Sequence, residues 1–141
     1  MGNYCTIADL KKRFSVQDLI QLSDIESTGQ VNEDVWNEAI AGAESDINAY
    51  VARRRSVPVT EAVALVRLRR MTGDWAYWSR HSDLHSVTED LRKRHEEDVE
   101  WLVAYANGEN SLGDEADPAQ PGTGQQSADT RVFTRAKMNG F

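Results

Sequence analysis

The stretch TEAVALVRLRRMTGDWAYWSRH, residues 60–81, is the most apolar helix candidate in the chain and carries two of its four tryptophans. At about 100° per residue, its apolar side chains spread over one broad face, whereas Arg67, Arg70 and Asp74 share a narrow strip opposite. A helix with so wide an apolar face requires partners on more than one side. We therefore predict that it lies at the centre of the fold. The broad face comprises Ala64, Leu65, Leu68, Met71, Thr72, Trp75, Ala76 and Trp78.

Some apolar side chains of this central helix lie outside the broad face, namely Val63, Val66 and Tyr77. Exposed apolar surface of this kind marks an interaction site when it is contiguous. We therefore expect part of the helix surface to be covered by another chain. The predicted subunit interface consists of Val63, Val66, Trp75, Tyr77 and Trp78.

Capping residues divide the rest of the chain into further helices. Each of several Ser, Thr or Asn residues stands directly before an amphipathic segment, which is the position of a helix N-cap. The predicted N-caps are Thr6, Ser15, Asn32, Thr60 and Ser86. The long helix that begins after Asn32 is predicted over residues 33–55 and ends before Val57-Pro58, because a residue that precedes proline disfavours helical geometry. Gly108 has the place of a left-handed C-terminal cap for the last helix.

These segments predict an all-α fold, a compact bundle of about four to five helices with an extended C-terminal arm. The predicted helical domain spans residues 1–108. Residues 109–130 are rich in Gly, Pro, Asp, Gln and Ser, and such a composition does not offset the entropy of ordering by itself. We therefore predict a flexible acidic tether over residues 109–130.

The last residues, RVFTRAKMNGF at 131–141, return to apolar and basic side chains. A basic, apolar peptide at the end of an acidic tether is typical of a segment that docks on a surface elsewhere. We predict such a docking peptide at residues 131–141. Its predicted contact residues are Arg131, Val132, Phe133, Arg135, Met138 and Phe141.

Overall charge and cysteine content exclude several classes of protein. The formal net charge is -7, which argues against a nucleic-acid binder that works by neutralising phosphates. An acidic wall still allows DNA to slide past without sticking. The lone Cys5 cannot form an internal disulfide, so we expect a reducing compartment. We see neither an export leader nor an apolar run of membrane-spanning length, and we expect no membrane partner.

The polar loop SDIESTGQVN, residues 23–32, has the outline of a calcium loop. If Asp24 is taken as position one, Glu26, Thr28 and Gly29 fall at positions three, five and six. Position twelve, which should be a bidentate glutamate, is Val35. The candidate metal ligands Asp24, Glu26 and Thr28 therefore supply too few charged oxygens. We predict a connecting loop without a metal, in which Asp and Thr side chains bond their own backbone and Gly29 supplies a positive φ.

Catalytic motifs are missing from the sequence. It contains no Gly-rich phosphate loop, no Gly-x-Ser-x-Gly elbow and no Cys-x-x-Cys, and the acidic residues at helix starts are explained by capping and the helix dipole. We expect a protein that is not an enzyme and that uses no cofactor.

In combination, several segments resemble the small helical head-tail region protein family of Mu-like phages and prophages. They are TIADLKKRF, DLIQLSD, VNEDVWNEAIAGAESDINAYVARR, the stop at Val57-Pro58 and the closing RVFTRAKMNGF, in that order. The resemblance covers nearly the whole chain. It implies a structural virion protein of the neck, assembled in the host cytoplasm, that acts as a head-tail adaptor.

According to this resemblance, the adaptor forms a ring beneath the portal, expected to be a dodecamer, and joins the capsid to the tail. Its partners are the portal protein and a tail, stopper or terminator protein, while genomic DNA passes through the channel without sequence-specific binding. The peptide at residues 131–141 is then expected to clip onto the portal, an adjacent copy or the next ring.

Other functions are also compatible with the sequence. A phage assembly chaperone or a tail completion protein uses the same kind of helical surface. A calcium-tuned binding module uses Asp24, Glu26 and Thr28. A DNA-binding regulator uses basic side chains, against the acidic total, and its candidate residues are Arg53, Arg54, Arg55, Arg67 and Arg70.

Overall fold

The computed structural model describes residues 3–113 of the 141-residue chain. Over this range it contains five α-helices and no β-strand, so the all-α prediction is confirmed. The helices are α1 (Ile7–Arg13), α2 (Val16–Ser23), α3 (Glu33–Val51), α4 (Ala62–Asp83) and α5 (Glu89–Ala106). Outside the described residues lie the predicted tether beyond residue 113 and the predicted docking residues Arg131, Val132, Phe133, Arg135, Met138 and Phe141.

The core lies between α3 and α4, the pair of helices with the most extensive contact. α5 packs on both, and α1 and α2 close the remaining sides. The Trp36 indole on α3 also donates a hydrogen bond to the Leu19 carbonyl of α2, at 3.0 Å. The sequence 60–81 therefore forms the centre of the bundle, as predicted. Its fully buried side chains include Ala64, Leu68, Met71, Thr72 and Ala76.

Side chains cap four of the five helices. Thr6 and Asp9 form a reciprocal capping box at α1, and the side chains of Ser15 and Asn32 accept hydrogen bonds at the starts of α2 and α3, as predicted. The predictions at Thr60 and Ser86 were wrong. The N-cap of α4 is Glu61, which makes no side-chain cap bond, and the N-cap of α5 is Thr88.

α4 is one continuous helix despite Gly73 in its middle. The glycine allows the N-terminal segment to approach closely: a Cβ at this position would lie 3.3 Å from Nη1 of Arg13, 3.4 Å from Cδ2 of Leu10 and 3.6 Å from Sγ of Cys5. Cys5 is 2% exposed, and burial raises the pKa of its thiol to about 12. Gly73 thus permits the close packing of the N-terminal segment and does not interrupt the helix.

The N-terminal segment is fixed to α3 by polar contacts. The backbone N–H of Tyr4 donates to Oε2 of the buried Glu44 at 2.7 Å. The Tyr4 hydroxyl donates to Oδ1 of Asn48 at 2.6 Å and accepts from the backbone N–H of Val59 at 2.9 Å. One side chain therefore joins the N-terminus, α3 and the α3–α4 connection.

The helical domain extends past the predicted boundary at residue 108. Gly108 has the left-handed conformation expected of a C-terminal cap, with φ 86°, but the chain continues to pack beyond it. Arg54, in the turn that follows α3, donates to the carbonyls of Tyr105 and Asn110 at 2.8 and 2.6 Å. Leu112 is 5% exposed and belongs to the core. The first residues of the predicted tether are thus part of the domain.

Candidate functional site

An open groove of about 920 Å³ lies between α3 on one side and α4 and α5 on the other. We call it the α3 groove. α3 supplies its floor, and two tryptophans of α4 with two residues of α5 form the facing wall. Its principal lining residues are Val35, Ala39, Gly42, Asp46, Ala49, Tyr50, Trp75, Trp78, His95 and Val99.

The floor of the groove follows from the sequence of α3. Positions 35, 39, 42, 46, 49 and 50 fall on one side of a helix with 3.6 residues per turn, next to the core-facing side formed by Trp36, Ile40 and Ile47. Several of these groove residues are small. A Cβ added at Gly42 would meet no other atom within 4 Å, so the groove is open at this point.

The opposite wall is aromatic. The Trp78 and His95 rings stack with their centroids 3.8 Å apart and their planes 4° apart, and the Trp75 ring lies tilted against His95 at 4.7 Å. Trp75 is 6% exposed, whereas Trp78 and His95 are half-buried. Burial lowers the pKa of His95, although Asp46 across the groove and Glu96 act in the opposite direction. The wall is therefore an uncharged aromatic surface at neutral pH.

Charged side chains border the α3 groove. Arg80 donates to the Leu22 carbonyl at 2.8 Å and pairs with Asp83 at 2.9 Å, and the Arg53 guanidinium lies 5.9 Å from the Tyr50 ring centroid. The described residues offer no ion-pair partner to Glu38 or Asp46, the two acidic residues on the α3 side. The α3 side of the groove thus carries two acidic side chains without ion-pair partners among the described residues, with Arg53 as the basic side chain on the same side.

A second cavity of about 310 Å³ lies on the other side of the Trp75, Trp78 and His95 cluster, against α1. The Phe14 ring of the α1 C-cap stacks on Tyr77 with centroids 4.1 Å apart. Asp74 pairs with Arg13 at 2.6 Å and with Arg70 at 3.3 Å. Burial is the main cause that raises the pKa of Asp98 in this cavity, and repulsion by Asp74 adds to it.

Comparison with known proteins gives this helical domain a family. A family model described as Bacteriophage Mu, Gp36, matches residues 4–130. The chain belongs to this phage family. Gene product J of Escherichia phage Mu is similar to it, with 28% identity over 144 residues that cover 99% of each protein. The resemblance to Mu-like phage proteins is thereby confirmed.

The five residues predicted as a subunit interface in this phage protein lie in different surroundings. Val63 and Val66 are 58% and 65% exposed and form an apolar strip on the first two turns of α4. Trp75 belongs to the chain's own core, so it offers little surface to a partner. Tyr77 is covered on one side by Phe14, and Trp78 faces the α3 groove. The interface itself stays a prediction, with Val63 and Val66 as its accessible residues.

In the loop that resembles a calcium site, the Asp24 carboxylate accepts hydrogen bonds from backbone N–H groups of the same loop. Oδ1 of Asp24 accepts from the Thr28 backbone N–H and Oδ2 accepts from that of Gly29, both at 2.8 Å. These bonds hold the pKa of Asp24 below its usual range, and Gly29 has φ 77°. The predicted connecting-loop geometry is confirmed. Over residues 3–113, no cluster of three or more His, Cys, Asp or Glu side chains could hold a metal ion.

Most of the arginines proposed for DNA binding make ring contacts or ion pairs within the domain. Arg54 lies 4.3 Å from the Tyr105 ring centroid, and Arg67 lies 4.5 Å from that of Trp101. Arg55 pairs with Glu61, and Arg70 pairs with Asp74. Arg54 thus joins the end of α3 to the end of α5. In the part of the chain that the structure describes, no helix is long and apolar enough to cross a membrane.

Proposed function

We propose that this protein is a structural component of a phage particle and acts as a head-tail adaptor. Membership in the phage Mu family supports a role in the structure or assembly of the particle. The observation that carries the finer proposal is the Val63–Val66 strip, an exposed apolar surface on the helix that forms the centre of the domain. Such a surface suits contact with a neighbouring copy, and the protein's work is then binding rather than catalysis.

In this proposal, copies of the domain form a closed ring, a dodecamer beneath the portal, in the neck of the virion. Closed rings repeat one interface around an axis, so weak contacts add up through symmetry. The ring joins the portal protein to a tail, stopper or terminator protein. The residues 131–141 supply an additional anchor to the portal, an adjacent copy or the next ring.

The charge of the molecule agrees with a position around the DNA. A formal net charge of -7 gives a channel wall that repels phosphates and lets the genome pass without sequence-specific binding. The proposal requires no cofactor, metal or membrane. Assembly takes place in the host cytoplasm, and the finished protein remains in the neck.

Two neighbouring roles use the same surfaces. An assembly chaperone also binds other phage proteins, but it is absent from finished particles. A tail completion protein stays in the particle but binds the tail rather than the portal. Mass spectrometry of purified virions separates the chaperone from the other two, and pull-down with the portal protein separates the adaptor from the completion protein.

The test is the mass of the purified protein, measured by light scattering with and without the portal protein, followed by electron microscopy. A closed ring that forms on portal addition supports the adaptor, and a stable dimer that is indifferent to the portal contradicts it. The double substitution Val63→Glu with Val66→Glu should prevent ring formation, because it places charge in the proposed interface. Val16→Glu, at an exposed valine of α2, is the matched control and should leave the ring intact.

A further inference from the structure

The α3 groove is a concave surface that no described segment of the chain fills. It has a volume of about 920 Å³, an aromatic wall of Trp78 and His95, and a floor that is open above Gly42. Ligand sites for peptides and small molecules have this form, concave and mainly apolar with a few polar groups. The groove therefore fits a segment with large apolar side chains.

The acidic side chains of the groove indicate that its occupant carries basic residues. Glu38 and Asp46 border it on the α3 side, two helical turns apart, and they lie about 12 Å from each other along the axis at 1.5 Å per residue. Within the sequence beyond residue 113, all the basic residues fall at 131, 135 and 137. In an extended peptide, Arg131 and Arg135 are about 13 Å apart. Their spacing thus matches that of the two carboxylates.

The chain has the length to reach the groove from its own domain. Gly113 lies beside Val63, since a Cβ on this glycine would be 3.2 Å from Cγ1 of Val63. Trp75 and Trp78 follow on the same helix, about 18–22 Å further along its axis. A coil of the 17 residues at 114–130 would have a root-mean-square span of about 21–25 Å. A tether whose span equals the distance to its site gives the highest effective concentration.

We propose that the α3 groove binds residues 131–141 of the same chain. Phe133, Met138 and Phe141 provide the apolar side chains for the aromatic wall, and Arg131 and Arg135 pair with Glu38 and Asp46. The unassembled protein then covers its own groove, and a partner that takes the peptide uncovers it. This proposal does not depend on the adaptor role, because it concerns the isolated chain.

The test uses the full-length chain with a nitroxide spin label on a Gly140→Cys variant, observed by ¹⁵N NMR. Cys5 does not compete for the label, because it is 2% exposed. Amide signals of groove residues such as Ala39, Gly42 and Asp46 should lose intensity several-fold relative to the reduced label. Signals of α1, which lies beyond the Trp75, Trp78 and His95 cluster, should lose much less.

Two substitutions at one residue provide the control. Gly42→Phe fills the groove at an exposed, open position and should abolish the intensity loss, whereas Gly42→Ala should preserve it. Unchanged amide signals elsewhere verify that both variants fold. Intensity loss that persists in Gly42→Phe, or that is spread evenly over the domain, overturns the proposal.

A mixed sample separates the same chain from a second copy. Isotope-labelled chains without nitroxide are combined with spin-labelled chains of natural isotopic abundance. Docking within one chain leaves the observed signals intact, whereas exchange between copies broadens them and overturns the proposal. Ring formation with the portal is measured separately, so failure of the groove proposal is distinguishable from failure of the adaptor proposal.

Discussion

At the scale of single residues, the phenol of the buried Tyr4 joins parts of the domain that are far apart in sequence. Its oxygen bonds Asn48 and Val59, which are 44 and 55 residues away in sequence. Helical periodicity predicts which face of a helix is buried, but it contains no information on such distant polar pairs. This is the reason that sequence analysis assigned no role to Tyr4.

Tyr4→Phe should lower the free energy of unfolding by about 1–3 kcal/mol, because the substitution leaves the buried Val59 N–H without its acceptor. Urea denaturation of the purified variant measures the change. Tyr50→Phe is the matched control, since Tyr50 is half-buried at the groove edge, and it should change stability by much less. Equal losses in the two variants would contradict the role assigned to Tyr4.

His95 should make stability depend on pH below neutrality. Burial lowers its pKa from the ordinary value of 6.5, so between pH 6.5 and the folded-state pKa the unfolded chain binds a proton that the folded chain does not. The contribution of His95 to the free energy of unfolding is therefore fully present above pH 6.5. It is lost as the pH falls through the folded-state pKa. Asp46 and Glu96 reduce the effect without reversing it.

Urea denaturation at a series of pH values between 7.5 and 5 tests this effect. The quantity compared is the slope of unfolding free energy against pH. His95→Asn should flatten the decline in unfolding free energy at acid pH. His85→Asn, at an exposed residue with φ 56°, should retain the wild-type slope. If His95→Asn has the wild-type slope too, the ring is not held neutral by the fold.

At the scale of helices, capping residues and apolar periodicity predicted the five helices well. The predicted N-cap was wrong where two possible N-cap residues lie close together in sequence. Thr6, Ser15 and Asn32 cap the helices they were expected to cap. At α5, Ser86 and Thr88 compete within three residues, and Ser86 donates instead to the His81 carbonyl at the end of α4. The choice depends on where α4 ends, which a capping pattern alone does not contain.

Glycines on the two central helices should respond differently to alanine. Gly42→Ala should stabilise the protein by about 0.5–1 kcal/mol, because alanine favours the helix and the added Cβ meets nothing. Gly73→Ala should gain less or lose stability, since its Cβ would press on Arg13 and Leu10 of α1. Thermal or urea unfolding compares the pair, and a larger gain at Gly73 would contradict the close approach of α1.

The junction between α3 and the end of α5 should depend on the shape of the Arg54 side chain. Lysine retains the charge but lacks the planar fork that bonds two carbonyls and stacks on Tyr105. Arg54→Lys should therefore accelerate hydrogen exchange over residues 107–112 several-fold. Arg53→Lys, at an exposed side chain, is the control and should leave exchange there unchanged.

At the scale of the whole molecule, the α3 groove was the feature that sequence analysis missed. Its floor was visible as the series of positions 35, 39, 42, 46 and 49 on α3, beside the apolar core stripe. The wall depends on how α5 meets α4, where His95 stacks on Trp78, and no local pattern predicts that packing. The central position of residues 60–81 was predictable because their apolar face is too wide for one partner.

The net charge of the protein and the contacts that its arginines make within the domain lead to one prediction. The isolated protein should not bind duplex DNA at physiological salt. Four of the five arginines proposed for DNA binding, Arg54, Arg55, Arg67 and Arg70, have partners inside the domain, and the net charge of -7 repels phosphates. Fluorescence anisotropy with a labelled duplex measures this. Affinity that falls steeply with salt would favour a DNA-binding regulator.

The Tyr4 contacts also have a consequence during translation. The segment that contains Tyr4 is synthesised before its polar partners Glu44, Asn48 and Val59. Because the chain is synthesised from its N-terminus, the opening segment stays unanchored until α3 and the connection after it have emerged. A pause before codon 59 would therefore prolong the exposure of this segment to chaperones.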